Sequence, residues 1–190
     1  MEIDNNIVNY LEDKDVSFDN NWYYHYRSFD KEKYNNILSK GLIAPYFNPD
    51  HKGNYKYVYT SKANDEKYSS FTNHSIYPGF ILNNLMYPIN AYMNYGEYVN
   101  IAAHNRGFHN IILNICSRDE YQIFERIEKE KIIGIIFNTT KIITYSDLSS
   151  TLEILIEIEK ILEENNYNLP ILDYYTKKEI NREKIKHLYK

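Results

Sequence analysis

Along the first seventy or so positions, apolar residues recur at helical spacing in some stretches and alternate in others. Ile3, Ile7, Val8 and Leu11 share one face of a helix predicted over residues 3–11, with Asp4 available as its N-cap. Residues 21–28 (NWYYHYRS) are aromatic, bounded by polar residues and too short for a good helix, which predicts a strand. Asp30 then caps a helix whose apolar face is Tyr34, Ile37 and Leu38, and Gly41 stands where a left-handed C-terminal cap belongs. Strand, helix and Gly-Leu-Ile form the clearest local unit of the chain. A loop rich in Pro, Asp, Asn and Gly over 45–54 leads into strand-like alternation over 55–60 (YKYVYT), and a short helix is expected over 64–71.

Residues 73–96, interrupted by Pro78 and Pro88, show no single period, and 80–86 and 89–93 each fit strand or helix. Short runs rich in Ile, Val and Tyr follow at 98–102, 110–116, 121–125, 131–137 and 141–145, separated by turn-like pieces, which predicts a mostly antiparallel sheet. Ser150-Thr151-Leu152-Glu153 has the form of a capping box opening a helix that carries Leu152, Leu155, Ile158, Ile161 and Leu162 and ends near Asn165. A second, more charged helix is expected over about 177–188, beyond Pro170. With no repeat or low-complexity linker, the expected organisation is one α+β domain over 1–190, a core over 21–145 and a C-terminal helical extension over 150–190.

A chain of 190 residues buries roughly 70% of the surface it exposes when unfolded, so a core needs no disulfide or structural metal. The single cysteine, Cys116, cannot form an internal bridge and follows a strand-like apolar run, where cysteine usually behaves as a small hydrophobe. A net charge of −4 removes the broad attraction that non-specific nucleic-acid binders use. The first residues hold no basic stretch followed by an apolar run, and the densest apolar stretch, 132–137, is far short of a membrane span. The expectation is a protein without a Sec signal and without membrane partners, acting in the cytoplasm or delivered into a target cell. The 21 tyrosines fit an AT-rich coding sequence and by themselves say little about function.

Several chemistries are excluded by spacing. The six glycines, at 41, 53, 79, 96, 107 and 134, never fall into GxGxxG or GxxxxGK[ST], so neither phosphate-cradling loop is present. No two of the six histidines have the helical spacing of HExxH, and no GxSxG provides a serine nucleophile elbow. What remains is polar groups on or beside aromatic strands: Tyr24-His25-Tyr26-Arg27-Ser28, then Tyr57-Val58-Tyr59-Thr60-Ser61 with Tyr68 nearby, then Asp119-Glu120-Tyr121.

Together these blocks resemble the ADP-ribosyltransferase superfamily. That superfamily has a first strand with His or Arg, a helix ending in Gly-Leu/Ile, a second strand with Tyr or Ser, and a Glu opening a late strand. The matching stretches are YHYRSFDKEKYNNILSKGLI (24–43), YKYVYTSKANDEKYSSF (55–71) and EYQIFERIEKEKIIGIIF (120–137), with 34 residues from His25 to Tyr59 and 61 from Tyr59 to Glu120. The resemblance covers roughly residues 21–137 and implies a split antiparallel sheet. In the diphtheria-toxin and poly(ADP-ribose) polymerase type it implies His25, Tyr59 and Glu120 as the catalytic set. The arginine-specific type would use Arg27, Ser61 and Glu120 instead. Tyr57 and Tyr59 compete for the motif tyrosine. Tyr26 stands where the His-type motif has glycine, and Arg118 stands where the arginine-specific members carry a second acidic residue, which argues against arginine as acceptor.

The resemblance further implies NAD as substrate, with no metal. Tyr59 and Tyr68 would stack on nicotinamide, His25 would bind a ribose hydroxyl and Arg27 would meet a pyrophosphate oxygen, with Tyr57 and Ser61 as further binding residues. Glu120 would stabilise the positive charge that develops on the ribose as the glycosidic bond breaks. The implied product is ADP-ribose on a macromolecular acceptor, protein favoured over nucleic acid, as in a bacterial toxin or effector, with room for a cognate antitoxin or immunity protein. Two other NAD-consuming activities compete: NAD glycohydrolysis and RNA 2′-phosphotransfer. The rival of another class is an interaction module that docks a partner on the Leu/Ile-rich helix over 151–162.

Overall fold

The computed structural model describes residues 6–50, 53–62, 78–90, 120–139 and 142–190. The expected elements over 64–71, 98–102 and 110–116 lie outside these residues, as does the proposed N-cap Asp4.

The chain opens with a short helix, α1 (Asn6–Leu11), and strand β1 (Glu12–Asp15). The unit that follows obeys its sequence signals closely. Strand β2 (Tyr23–Tyr26) leads to helix α2 (Lys31–Lys40), where the Asp30 side chain accepts a hydrogen bond from the Lys33 amide at 3.0 Å and Tyr34, Ile37 and Leu38 are buried. Gly41 ends the helix at φ 85°, its amide donating to the Ile37 carbonyl. A Cβ there would collide with the Ile127 carbonyl, so the position needs glycine for space as well as for backbone angle. The close approach lets β3 (Leu42–Ile43) pair with β8 (Arg126–Ile127) in a separate two-stranded sheet.

The main sheet adds β4 (Tyr57–Ser61), β5 (Gly79–Leu82), β6 (Ile89–Asn90), β7 (Glu120–Phe124), β9 (Ile132–Phe137), β10 (Ile171–Asp173) and β11 (Lys178–Ile180). Its order is β1-β11-β10-β9-β5-β2-β4-β7-β6. Every pairing is antiparallel except β9 with β10, which run parallel. The observed class is therefore mixed α/β with a mostly antiparallel sheet. Of the ambiguous 80–86 stretch only 80–82 are strand, with Phe80 and Leu82 facing one apolar layer and Ile81 the other.

Three expectations for the last third change. Residues 142–144 form no strand; they lead into helix α3 (Tyr145–Glu164), which starts a turn and a half before the predicted box. Thr144 and Asp147 supply the capping box: the Thr144 hydroxyl accepts from the Asp147 amide at 3.1 Å, and the Asp147 carboxylate accepts from the Thr144 amide at 2.9 Å. Thr151, expected in the cap, lies inside the helix and donates to the Asp147 carbonyl at 2.8 Å. The helix expected over about 177–188 forms only in its second half, and its first residues, 177–180, belong to a hairpin. β10 and β11 join the main sheet, with Lys177 at φ 57° in the turn, and only α4 (Arg182–Lys186), capped by Asn181, is helical. The region over 150–190 thus holds helices α3 and α4 but also a hairpin, β10 and β11, that joins the main sheet.

Helices α2 and α3 cover one face, where Tyr34, Leu38, Leu155, Ile158 and Leu162 pack with Phe80, Ile135, Phe137 and Ile171. The apolar side of α3 is consumed by this chain's own core. The opposite face carries a smaller cluster of Tyr24, Ile81, Ile136, Leu172 and Tyr174, flanked by Phe18 and Trp22. Glu159 of α3 is wholly buried and is gripped by the Arg182 guanidinium at 2.6 and 3.2 Å, which ties α4 to α3. No helix among the described residues is long and apolar enough to cross a membrane.

Two stability predictions follow from these contacts. Arg182→Ala leaves the buried Glu159 carboxylate only the Lys186 ammonium at 3.8 Å and should cost about 3 kcal/mol in urea unfolding, whereas the Glu159→Leu/Arg182→Leu pair should cost less. Gly41→Ala should lower stability by roughly 2–4 kcal/mol, since backbone of β8 and the following turn must retreat; an unchanged urea midpoint would contradict the packing described.

Candidate functional site

The site forms where the main sheet comes apart. β2 pairs with β5 from Tyr23 to Tyr26, and β4 pairs with β7 from Tyr57 to Ser61, yet β2 and β4 meet in register only at Tyr24 and Ser61. Toward the C-terminal end of β2 the two strands part. A hydrogen bond of 2.8 Å between His25 Nδ1 and the Tyr59 carbonyl bridges the gap. A carbonyl can only accept, so Nδ1 carries the proton and Nε2 is left as an acceptor.

A cleft of about 280 Å³ occupies this opening, lined by His25, Arg27, Tyr57 and Tyr59, with Leu42 and Ile43 of β3 among the other lining residues. The structure thus brings together four residues singled out in the sequence. Tyr57 is nearly buried and meets Phe124 edge-on at 5.6 Å; Tyr59 meets Tyr55 edge-on at 6.1 Å. Both motif tyrosine candidates line the cleft. A neighbouring groove of about 380 Å³ runs along α2 past Lys33 and Lys40 and shares Arg27, Leu42, Ile43 and Pro45 with the cleft.

Ser61 and Glu120 occupy other places. Ser61 is buried in the ladder between β2 and β7 and does not line the cleft. Glu120 opens β7, its backbone opposite Ser61, which in turn is opposite Tyr24. The Glu120 position is thus two residues along from Gln122, the partner of Tyr59, and two strands across from β2. At about 4.8 Å per strand and 3.4 Å per residue, its Cα falls within roughly 10 Å of those of Tyr59 and Tyr24. Tyr68 lies outside the described residues.

Sequence reasoning missed Leu42, Ile43, Pro45 and Tyr55 as cleft residues. The signal was present in the Gly-Leu-Ile after α2, because a glycine that permits close approach makes the next residues a wall. Among the described residues no three His, Cys, Asp or Glu side chains gather as a metal site would need.

Burial is the main force on His25 and lowers its pKa from the ordinary 6.5 to about 4; Arg27 pushes the same way, and the Tyr59 hydrogen bond opposes both. The imidazole is therefore neutral at pH 7. Comparison with known proteins adds no relative: no protein-family model matches the chain, and no curated protein matches it.

Because the folded state disfavours the imidazolium, the neutral His25 contributes stability that is complete above pH 6.5 and lost as pH falls toward 4. The loss should be on the order of 2–3 kcal/mol and should shrink in His25→Gln, measured by urea unfolding at pH 7 and pH 4.5. An NMR titration placing His25 near 6.5 would overturn this environment.

Proposed function

We propose that this chain cleaves NAD at the nicotinamide glycosidic bond and transfers the ADP-ribosyl group to a macromolecular acceptor. The observation that carries the reading is that His25, Tyr59 and Glu120 stand on three adjacent strands, β2, β4 and β7, with His25 and Tyr59 where the sheet parts and Glu120 in register with the last joined pair. Two of the three motifs, those of β2 and β4, line one cleft with a neutral histidine beside Tyr57 and Tyr59, and the third opens the strand next to β4. The adjoining cleft and groove suit an elongated dinucleotide whose negative charge lies at its centre, near the shared residue Arg27.

In this reading His25 Nε2 accepts a hydrogen bond from a ribose hydroxyl, an interaction that requires the neutral ring and the tautomer set by Tyr59. The ring of Tyr59 or Tyr57 packs on nicotinamide, and Arg27 donates to the pyrophosphate. As the C–N bond breaks, its electron pair leaves with neutral nicotinamide and C1′ of the ribose becomes electron-poor. The Glu120 carboxylate stabilises that carbon, and stabilisation present only at this stage accelerates the step. The acceptor nucleophile then bonds to C1′ and releases its proton to solvent. The net charge of −4 favours a protein over a polyanionic acceptor.

The test is incubation of the purified protein with labelled NAD and a cell lysate, beside Glu120→Gln, reading both label transfer and free nicotinamide. Wild type should transfer label, and the variant should lose roughly 100-fold or more of the rate. Nicotinamide release without transfer would make the protein a glycohydrolase. NAD consumption only with a 2′-phosphorylated RNA would make it a phosphotransferase. Absence of NAD consumption together with no NAD-induced thermal shift would reject the enzymatic reading and leave an interaction module.

A further inference from the structure

The ladder between β2 and β5 ends at Tyr26 and Gly79, one residue short of Arg27. Beyond it the Arg27 amide reaches the Pro78 carbonyl only at 3.4 Å, a long contact that by itself would hold the backbone loosely. The hydroxyl of Tyr34, one turn into α2, fills this place. It lies 2.9 Å from the Pro78 carbonyl and 3.1 Å from the Arg27 carbonyl, so one proton is shared between two acceptors at the frayed end of the two strands. Tyr34 is wholly buried, its ring centred 4.7 Å from Phe80 and 5.1 Å from Phe29, which leaves the hydroxyl no other position. Burial also raises its pKa well above the ordinary tyrosine range, so it remains a donor. Arg27, the residue so held, is common to the cleft and the groove along α2.

We infer that Tyr34 is a positioning residue: through its shared hydrogen bonds to the Arg27 and Pro78 carbonyls it holds Arg27 at the junction of cleft and groove, where Arg27 meets the anionic centre of the ligand. The identity of that ligand as NAD rests on the proposed function; the positioning itself does not. A tyrosine that only filled the core would give the same packing without this effect, and Tyr34→Phe separates the two because it keeps the ring and removes the hydroxyl.

Two readouts test the inference. In the ligand-free protein, the heteronuclear NOE of the ¹⁵N-labelled Arg27 Nε–H and backbone amide should fall in Tyr34→Phe. It should stay unchanged in Phe80→Leu, a control that loosens the same packing and leaves the hydroxyl in place. With NAD, KM should rise about 10-fold in Tyr34→Phe while kcat changes by less than about 2-fold, and adding Tyr34→Phe to Arg27→Gln should produce no further rise. An unchanged Arg27 NOE in Tyr34→Phe, or an equal fall in Phe80→Leu, would overturn the inference even if Tm dropped. If wild type consumes no NAD, the proposed function fails while the NOE comparison still decides the role of Tyr34.

Discussion

The parting of β2 from β4 is the constraint on which the rest of the site depends. Strands on either side are conventionally paired, β2 with β5 and β4 with β7, so the break is local. A broken ladder exposes backbone carbonyls that must find other donors. Here the donor to Tyr59 is the imidazole of His25, and that one hydrogen bond has two effects. It substitutes for a missing backbone bond, and it sets the tautomer that leaves Nε2 as an acceptor. The same residue therefore serves the fold and the proposed chemistry, and its burial links its protonation to stability.

The wall opposite the break depends on a backbone approach of another kind. Gly41 allows the chain leaving α2 to pass against β8, and Leu42 and Ile43 then stand across from Tyr57 and Tyr59. Helix α2 is thereby connected to the site at both ends, through Tyr34 near its start and Gly41 after its last turn. A helix that buries Tyr34, Ile37 and Leu38 in the main core gives both connections a rigid base.

Far from the site, the chain ends hold each other. β1 pairs with β11, so residues from the two termini close one edge of the main sheet, and Lys178 of β11 pairs with the nearly buried Glu12 at 3.3 Å. On the face without helices, the Lys177 ammonium lies 3.7 Å from the ring centre of Tyr174 and 4.5 Å from that of Phe18, joining the segment before β2 to the hairpin turn. Both contacts bring together residues more than a hundred positions apart, and neither has a local sequence signal.

The division between what was legible and what was not follows from range. The Asp30 cap, the Tyr34-Ile37-Leu38 face and Gly41 could be read directly, because a helix boundary is decided by hydrogen bonds within a few residues. The start of α3 was misread although its signal is equally local: Thr144 with Asp147 and Ser150 with Glu153 are both valid boxes, and the apolar positions from Leu148 onward select the first. Residues 178–180, inside the stretch whose charged pattern predicts a helix, become strand by pairing with β10 and β1, and β10 in turn pairs with β9. By itself the sequence determined the local unit around α2, the mostly antiparallel sheet and the residue types of the site. Only the tertiary structure decided that the sheet parts between β2 and β4, that Ser61 stays in the ladder and that β3 forms a wall, since strand partners and breaks are set by contacts between distant segments competing for the same backbone bonds.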